Sequence, residues 1–150
     1  MERLIFAIGM LVGINALACV DVSGKYYDLN TTNHSRYEFV QTACKSIKLI
    51  RYDDQSSTPK YQTEWITDGI PREIVDSNYP DMVYAQQIQF VDQKLTFNSS
   101  SFDKKTGHFK IFTRSEITLE SSGALLIVRF IAHDTNGRIV DQFVNYYQKN

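Results

Sequence analysis

Apolar and polar residues alternate with a period of two along most of this chain, and turn-forming clusters interrupt the alternation at close intervals. Tyr37/Phe39, Leu95/Phe97 and Phe109/Ile111 alternate with polar residues, the pattern of strands with one buried and one solvated face. It predicts strands over 24–28, 37–42, 46–52, 61–67, 82–91, 94–98, 108–114, 116–119, 124–132 and 139–148. Between them lie Asn30-Thr31-Thr32-Asn33, the polar run 53–59, Asp68-Gly69, Tyr79-Pro80-Asp81, the run 103–107, Ser121-Ser122-Gly123 and Asn136-Gly137. Both central residues of a type I′ turn need positive φ, so Asp68-Gly69 and Asn136-Gly137 predict tight hairpins. Val91-Asp92-Gln93-Lys94 reads as another tight turn with less favourable chemistry.

Helix is scarce. The segment 71–77 has Pro71 at its start and the apolar pair Ile74-Val75, and it reads either as a short helix or as a return strand after Asp68-Gly69. The fold class is therefore all-β: an antiparallel up-and-down meander of about 8–10 strands, closed as a barrel or packed as a β-sandwich. One strand departs from the alternation. Ala124-Leu125-Leu126-Ile127-Val128 is apolar on both faces, so its second face needs a cover from another sheet, from 71–77 or from a partner chain.

The N-terminus follows a different logic. Glu2 and Arg3 precede an apolar run of about 11 residues, too short to span a bilayer, and Ala16-Leu17-Ala18 follows as an A-x-A cleavage site. Residues 1–18 thus read as an export signal, and residues 19–150 as one domain of ordinary size. The exported part holds Cys19 and Cys44. Two readings stand: a disulfide formed in an oxidising compartment, or a lipid-anchored Cys19 that leaves Cys44 as an odd thiol. The residues before Cys19 suit ordinary signal peptidase better than a lipobox, which favours the disulfide. The protein is then periplasmic or secreted, and membrane-bound only if Cys19 is lipidated.

Sixteen Lys+Arg stand against 17 Asp+Glu, so no electrostatic footprint for nucleic acid is present. Aromatics make up 13% of the chain, with nine Tyr and nine Phe, a bias that favours strands over helices.

At Ser23-Gly24-Lys25-Tyr26 the chain resembles the opening strand of lipocalin-like (calycin-type) barrels, which begin with Gly-x-Trp and continue as an up-and-down meander. Further along it is similar to small secreted or lipid-anchored bacterial members. The matching features are Cys44 after the second strand, Trp65 with Asp68-Gly69, the Leu119, Gly123, Leu125 spacing, and the closing Tyr146-Tyr147-Gln148-Lys149. Tyr26 stands where the family has Trp, and no helix follows the last strand. The resemblance implies a bacterial source and a barrel whose relatives include carriers and inhibitors. Fold analogy alone assigns no function.

No catalytic constellation is legible. His34, His108 and His133 sit in or beside turns without a partner at metal-ligand spacing, and read as surface histidines. No Gly-x-Ser-x-Gly elbow, phosphate loop or calcium-loop order occurs; Asp53-Asp54 and the Glu73/Asp76/Asp81 group read as solvated loop acids. Asn30-Thr31-Thr32, Asn33-His34-Ser35 and Asn98-Ser99-Ser100 fit the glycosylation pattern, in or near loops, and are chance matches in a bacterium.

The surplus is aromatic. Tyr26, Tyr37, Phe39, Trp65, Tyr84, Phe90, Phe97, Phe112 and Phe130 fall on predicted strands. Ordinary core filling is one reading; the other is an apolar cup for one small ligand, lined by Tyr37, Phe39, Trp65, Tyr84, Phe97 and Phe112. The expectation is an exported, non-enzymatic, cofactor-free and metal-free binding protein, monomeric, taking a small apolar ligand. The alternatives are an interaction or inhibitor module with a protein partner and, less favoured, an envelope enzyme.

Overall fold

The computed structural model describes residues 19–30, 35–53, 56–74, 79–120 and 122–150. Residues 1–18, where the sequence predicts an export signal, Thr31-Thr32-Asn33-His34, Asp54, Asp76 and the remainder of the 71–77 segment beyond Ile74 lie outside the described residues. Ten strands follow one another: β1 (Gly24–Asp28), β2 (Arg36–Thr42), β3 (Ser46–Tyr52), β4 (Tyr61–Ile66), β5 (Arg72–Ile74), β6 (Met82–Val91), β7 (Lys94–Asp103), β8 (Phe109–Leu119), β9 (Leu125–His133) and β10 (Ile139–Lys149). They form one antiparallel sheet in the order β4-β3-β2-β1-β10-β9-β8-β7-β6-β5. The all-β meander expected from the alternation is the architecture that forms.

Facing rows follow from register, because residues opposite each other across a strand pair share a face. Tyr26 faces Tyr37 and Lys149, Phe39 faces Leu49, Ile47 faces Trp65, Ile88 faces Phe97, Leu95 faces Ile117, and Leu126 faces Leu119 and Tyr147. Tyr26, Phe39, Ile47, Ile88, Leu95, Ile117 and Leu126 join Val22 in one buried cluster. Side chains from seven strands meet there, so the sheet is rolled into a barrel around them. The Tyr26 ring is fully buried and its hydroxyl donates to the Val22 carbonyl at 3.0 Å, satisfying the one polar atom that Tyr brings inside. Gly24 permits this closure: its φ is +150°, and a Cβ there would stand 2.6 Å from Lys149 Cε.

Cys19 and Cys44 form a disulfide with Cα atoms 5.7 Å apart, tying the segment before β1 to the β2–β3 turn. The bond occupies the sulfur that a lipid anchor would need.

Two turn expectations are corrected: the hairpin at Asp68-Gly69 and the turn type at Asn136-Gly137. Asp68-Gly69 does not turn a hairpin: β4 and β5 are the two ends of the sheet, and Asp68 bridges Gln89 of β6 instead. Gly69 serves close approach, since its N–H donates to the Ile88 carbonyl at 2.9 Å and a Cβ would lie 2.7 Å from Gln89 Oε1. At Asn136-Gly137 only Gly137 has positive φ (76°), and Asp134 pairs with Arg138, a three-residue loop rather than a type I′ turn. The type I′ signature falls on Asp92 (φ 48°) and Gln93 (φ 61°).

Arg72–Ile74 is the return strand of the two readings of 71–77. Strand β7 runs on to Asp103 and β8 is continuous through Ser115, where the sequence predicted ends and a break. The reason is inward-facing serine, which erases the alternation without interrupting the ladder. The Asn98 sequon consequently lies mid-strand, its Nδ2 donating to Gln87 Oε1 at 3.3 Å, and is not a loop feature. The doubly apolar stretch of β9 buries Leu126 inward, while Ile127 is half-buried in a row with Thr118 and Tyr146.

Candidate functional site

The lumen has two ends of different chemistry. At one end the aromatic rings are in series: Tyr26 lies 5.6 Å from Phe39, Phe39 6.1 Å from Trp65, and Trp65 4.6 Å from Phe97. These contacts with Ile47, Ile88, Leu95 and Leu126 make this end a packed floor.

Toward the other end the inward positions turn polar. Strands β7 and β8 present Ser99, Ser101, Thr113 and Ser115 on the face that also carries Phe97 and Leu95. Opposite in sequence order, Phe130 of β9 and Phe143 of β10 share the inward row and stack at 4.6 Å with rings 14° apart. Arg51 of β3 belongs to the same face as Tyr37, with its guanidinium carbon 5.9 Å from that ring, and its Nη2 donates to Ser35 Oγ at 3.4 Å. Arg51 Nε is shielded from solvent and has no protein acceptor among the described residues. Tyr37 packs edge-on to Tyr147 at 5.3 Å.

Burial pushes the Tyr37 and Tyr147 hydroxyls above the ordinary tyrosine range; the Asp28 charge adds to the rise and Arg51 opposes it. Both therefore remain protonated donors at neutral pH. Asp28 is itself buried, its Oδ1 accepting the backbone N–H of Asn30 at 2.8 Å and its Nδ2 at 3.1 Å.

The wall is open on one side. Between β4 and β5 no ladder forms, and a cleft of about 430 Å³ runs there from the surface to Trp65 and Ile88, flanked by Tyr61, Thr63, Arg72, Ile74 and Gln86. Only its lower end is sealed. Asp68 receives Arg72 Nη1 at 2.8 Å and Nη2 at 2.6 Å, and Gln87 Nε2 donates to the Gly69 carbonyl at 2.6 Å. The paired hydrogen bonds from Arg72 hold the Asp68 carboxyl far below the usual carboxylate range.

Of the six aromatics predicted to line a ligand site, Phe39, Trp65 and Phe97 meet in the ring series. Tyr37 faces inward beside Arg51 and Tyr147, and Tyr84 faces inward on β6 opposite Ser101. Phe112 does not join them. Alternation with the inward Thr113 and Ser115 puts Phe112 on the outer face, opposite Ser100 and 6.2 Å from His133, and the register shift beyond Ile111 brings Phe109 to that face opposite Phe102. Sequence reasoning missed Arg51 and the hydroxyls of β7 and β8. Position parity with Tyr37 across a hairpin was the signal for Arg51; the serines gave none.

Among the described residues no group of three His, Cys, Asp or Glu is placed to hold a metal ion, and no helix is long and apolar enough to cross a membrane.

No family model and no curated protein matches the chain. Solved structures do. A crystal structure of a substituted form of the fluorescent protein UnaG is similar with a TM-score of 0.56 at 10% identity, covering 85% of this chain and 95% of that one. A second substituted form gives a TM-score of 0.54 at 10% identity, over 85% and 94%. At that identity the likeness is one of fold. It shows an antiparallel all-β meander like that of UnaG, the architecture that the Gly24-Lys25-Tyr26 resemblance implied, and nothing in it singles out the bacterial lipocalins.

Proposed function

We propose that this protein is an exported, non-enzymatic carrier that holds one small amphipathic ligand in the lumen, entered through the cleft between β4 and β5. The observation that carries the reading is that cleft, about 430 Å³ with the only tryptophan of the chain at its inner end. A volume of this order suits a small ligand. Trp65, Ile88 and Ile74 offer apolar contact, while Arg51 Nε and the Tyr37 and Tyr147 hydroxyls supply donors for an anionic or carbonyl end. The ligand of this reading is less purely apolar than the aromatic count suggested. Export is supported by the 1–18 pattern and by the Cys19–Cys44 bond, which belongs to oxidising compartments.

The test is a titration with an apolar monocarboxylate and with the alcohol of the same skeleton, read by Trp65 emission. The carboxylate should shift the emission saturably and more tightly than the alcohol, and Arg51→Met should remove that preference. Emission unmoved by either compound refutes the lumen site. Equal binding of the two refutes the role of Arg51.

A specific observation favours a second reading, a protein partner. Ile139, Val140, Val144 and Tyr146 of β10 are all exposed, an apolar strip along the outer side of one strand. Val144→Lys would then abolish partner capture while leaving Trp65 titrations unchanged.

A further inference from the structure

The outer face of the barrel carries a second, separate pocket. Pairing of β1, β2 and β3 sets Tyr27, Arg36 and Tyr52 in one row, on the side opposite the lumen. The chain after β3 folds back over that row. Ser56 offers its carbonyl to Arg36 Nη2, and the loop is held by the Lys60 N–H to the Arg51 carbonyl at 2.9 Å and by a Lys60–Asp53 ion pair at 3.0 Å. Between loop and sheet lies a cavity of about 300 Å³ lined by Lys25, Tyr27, Arg36, Glu38, Tyr52 and Ser57, with Asn150 at its rim.

Its walls are fixed in place. The Arg36 guanidinium carbon stands 5.5 Å from the Tyr52 ring centroid, and the Tyr52 hydroxyl donates to Glu38 Oε2 at 3.1 Å. Arg36 Nε is shielded from solvent and has no protein acceptor among the described residues. Buried guanidinium donors are seldom left unpaired, and an unmade bond to a charged group is costly.

We propose that this pocket binds a carboxylate borne on a single ring, the acid on Arg36 and the ring against Tyr27 and Tyr52. A planar acid matches the geometry of a guanidinium edge, and Lys25 adds a second cation at an exposed position. Glu38 on the same wall repels a doubly charged anion, which selects carboxylate over phosphate or sulfate. The volume admits one ring with its substituent, at the lower limit of small-molecule sites. Tyrosine faces accept an aromatic ring or the CH face of a sugar, so an aromatic acid and a hexuronic acid share the required chemistry.

The disulfide-bonded protein is titrated with benzoate, glucuronate, acetate and sulfate, following the ring resonances of Tyr27 and Tyr52 by NMR with the Trp65 indole as an internal control. A ring-borne acid should shift Tyr27 and Tyr52 saturably and leave Trp65 still, which separates this site from the lumen. Arg36→Gln should weaken binding about tenfold or more, the worth of a charge-assisted hydrogen bond. Lys25→Glu, at an exposed position where folding is not at issue, should weaken it as well. Tighter benzoate identifies an aromatic acid as the source, and tighter glucuronate an acidic sugar. Three results overturn the proposal: no saturable shift with either ring acid, acetate or sulfate binding as tightly, or an affinity unchanged by both substitutions.

Discussion

Trp65 of β4 stands edge-on to Phe97 of β7, ring centroids 4.6 Å apart, and so spans a sheet whose ends β4 and β5 do not pair. Where the ladder is missing, side-chain packing is what holds β4 near the opposite wall. Aromatic pairs of this geometry add about 0.5–1.5 kcal/mol beyond their buried area. Trp65→Ala removes this contact and the one to Phe39 together. Because Trp65 is only half-buried, the loss should fall below the full-burial range, at about 2 kcal/mol. A denaturant midpoint lowered by less than a quarter of that amount would show that the seam is held by other contacts.

The Cys19–Cys44 bond closes a loop with a sequence separation of 25. In the chain-entropy account a loop of roughly this size is worth about 3 kcal/mol. Reduction, Cys44→Ala and the double variant Cys19→Ala/Cys44→Ala should therefore lower stability by the same amount, measured by urea unfolding with and without reductant. A double variant as stable as the oxidised protein would contradict the constraint.

Much of the fold was legible. Alternation located nearly every strand because the buried row is apolar at one end of the barrel: Tyr26, Phe39, Ile47, Leu95 and Leu126 sit at every second position of their strands. It failed where the lumen is polar. Ser99, Ser101 and Ser115 face inward yet look like turn or surface residues, so β7 was ended early and β8 was split. Glycine misled once. Asp68-Gly69 has hairpin chemistry, but the glycine is needed for approach to Gln89, a contact 20 residues away that no local pattern announces. The candidate site was half legible for the same reason: rings in the apolar rows could be listed, whereas the polar inward residues Thr113 and Ser115 hid the parity that puts Phe112 on the outer face.

Tyr26, Tyr37 and Tyr147 share a consequence at high pH. Burial is the main cause that lifts each hydroxyl above the ordinary value of 10.0. Folded-state values above the unfolded one mean that, in alkali, the folded protein keeps protons which the unfolded chain has lost. Stability is then complete below about pH 10 and declines as pH rises further. Urea midpoints should fall steadily above that pH, and tyrosinate absorbance should show a class of tyrosines that ionises only as the protein unfolds. A single titration of all tyrosines in the folded state would rule this out.

The seam between β4 and β5 should open locally without unfolding the barrel. Its lower end is held by the Asp68–Arg72 pair, by Gln87 on the Gly69 carbonyl, and by the Gly69 N–H on the Ile88 carbonyl at 2.9 Å. The ion pair is exposed, and exposed pairs contribute little to global stability, so Arg72→Gln should leave the urea midpoint nearly unchanged. Its work is local: two parallel hydrogen bonds fix the Asp68 carboxylate, which also receives the Ile70 N–H at 3.0 Å and so orients the segment leading into β5. Without Arg72, the Gly69 amide should exchange faster with solvent, as should the short ladder of Arg72–Ile74 against β6. The depressed Asp68 value sets the sign with pH. The pair persists above the ordinary carboxylate range, survives well below it, and is lost only in strong acid. Protection of Gly69 in the native protein should therefore be flat from neutrality through about pH 4, the ordinary carboxylate value. If exchange at Gly69 is the same in Arg72→Gln as in the native chain, the clasp has no hold on the cleft, and access to Trp65 is governed by the strands alone.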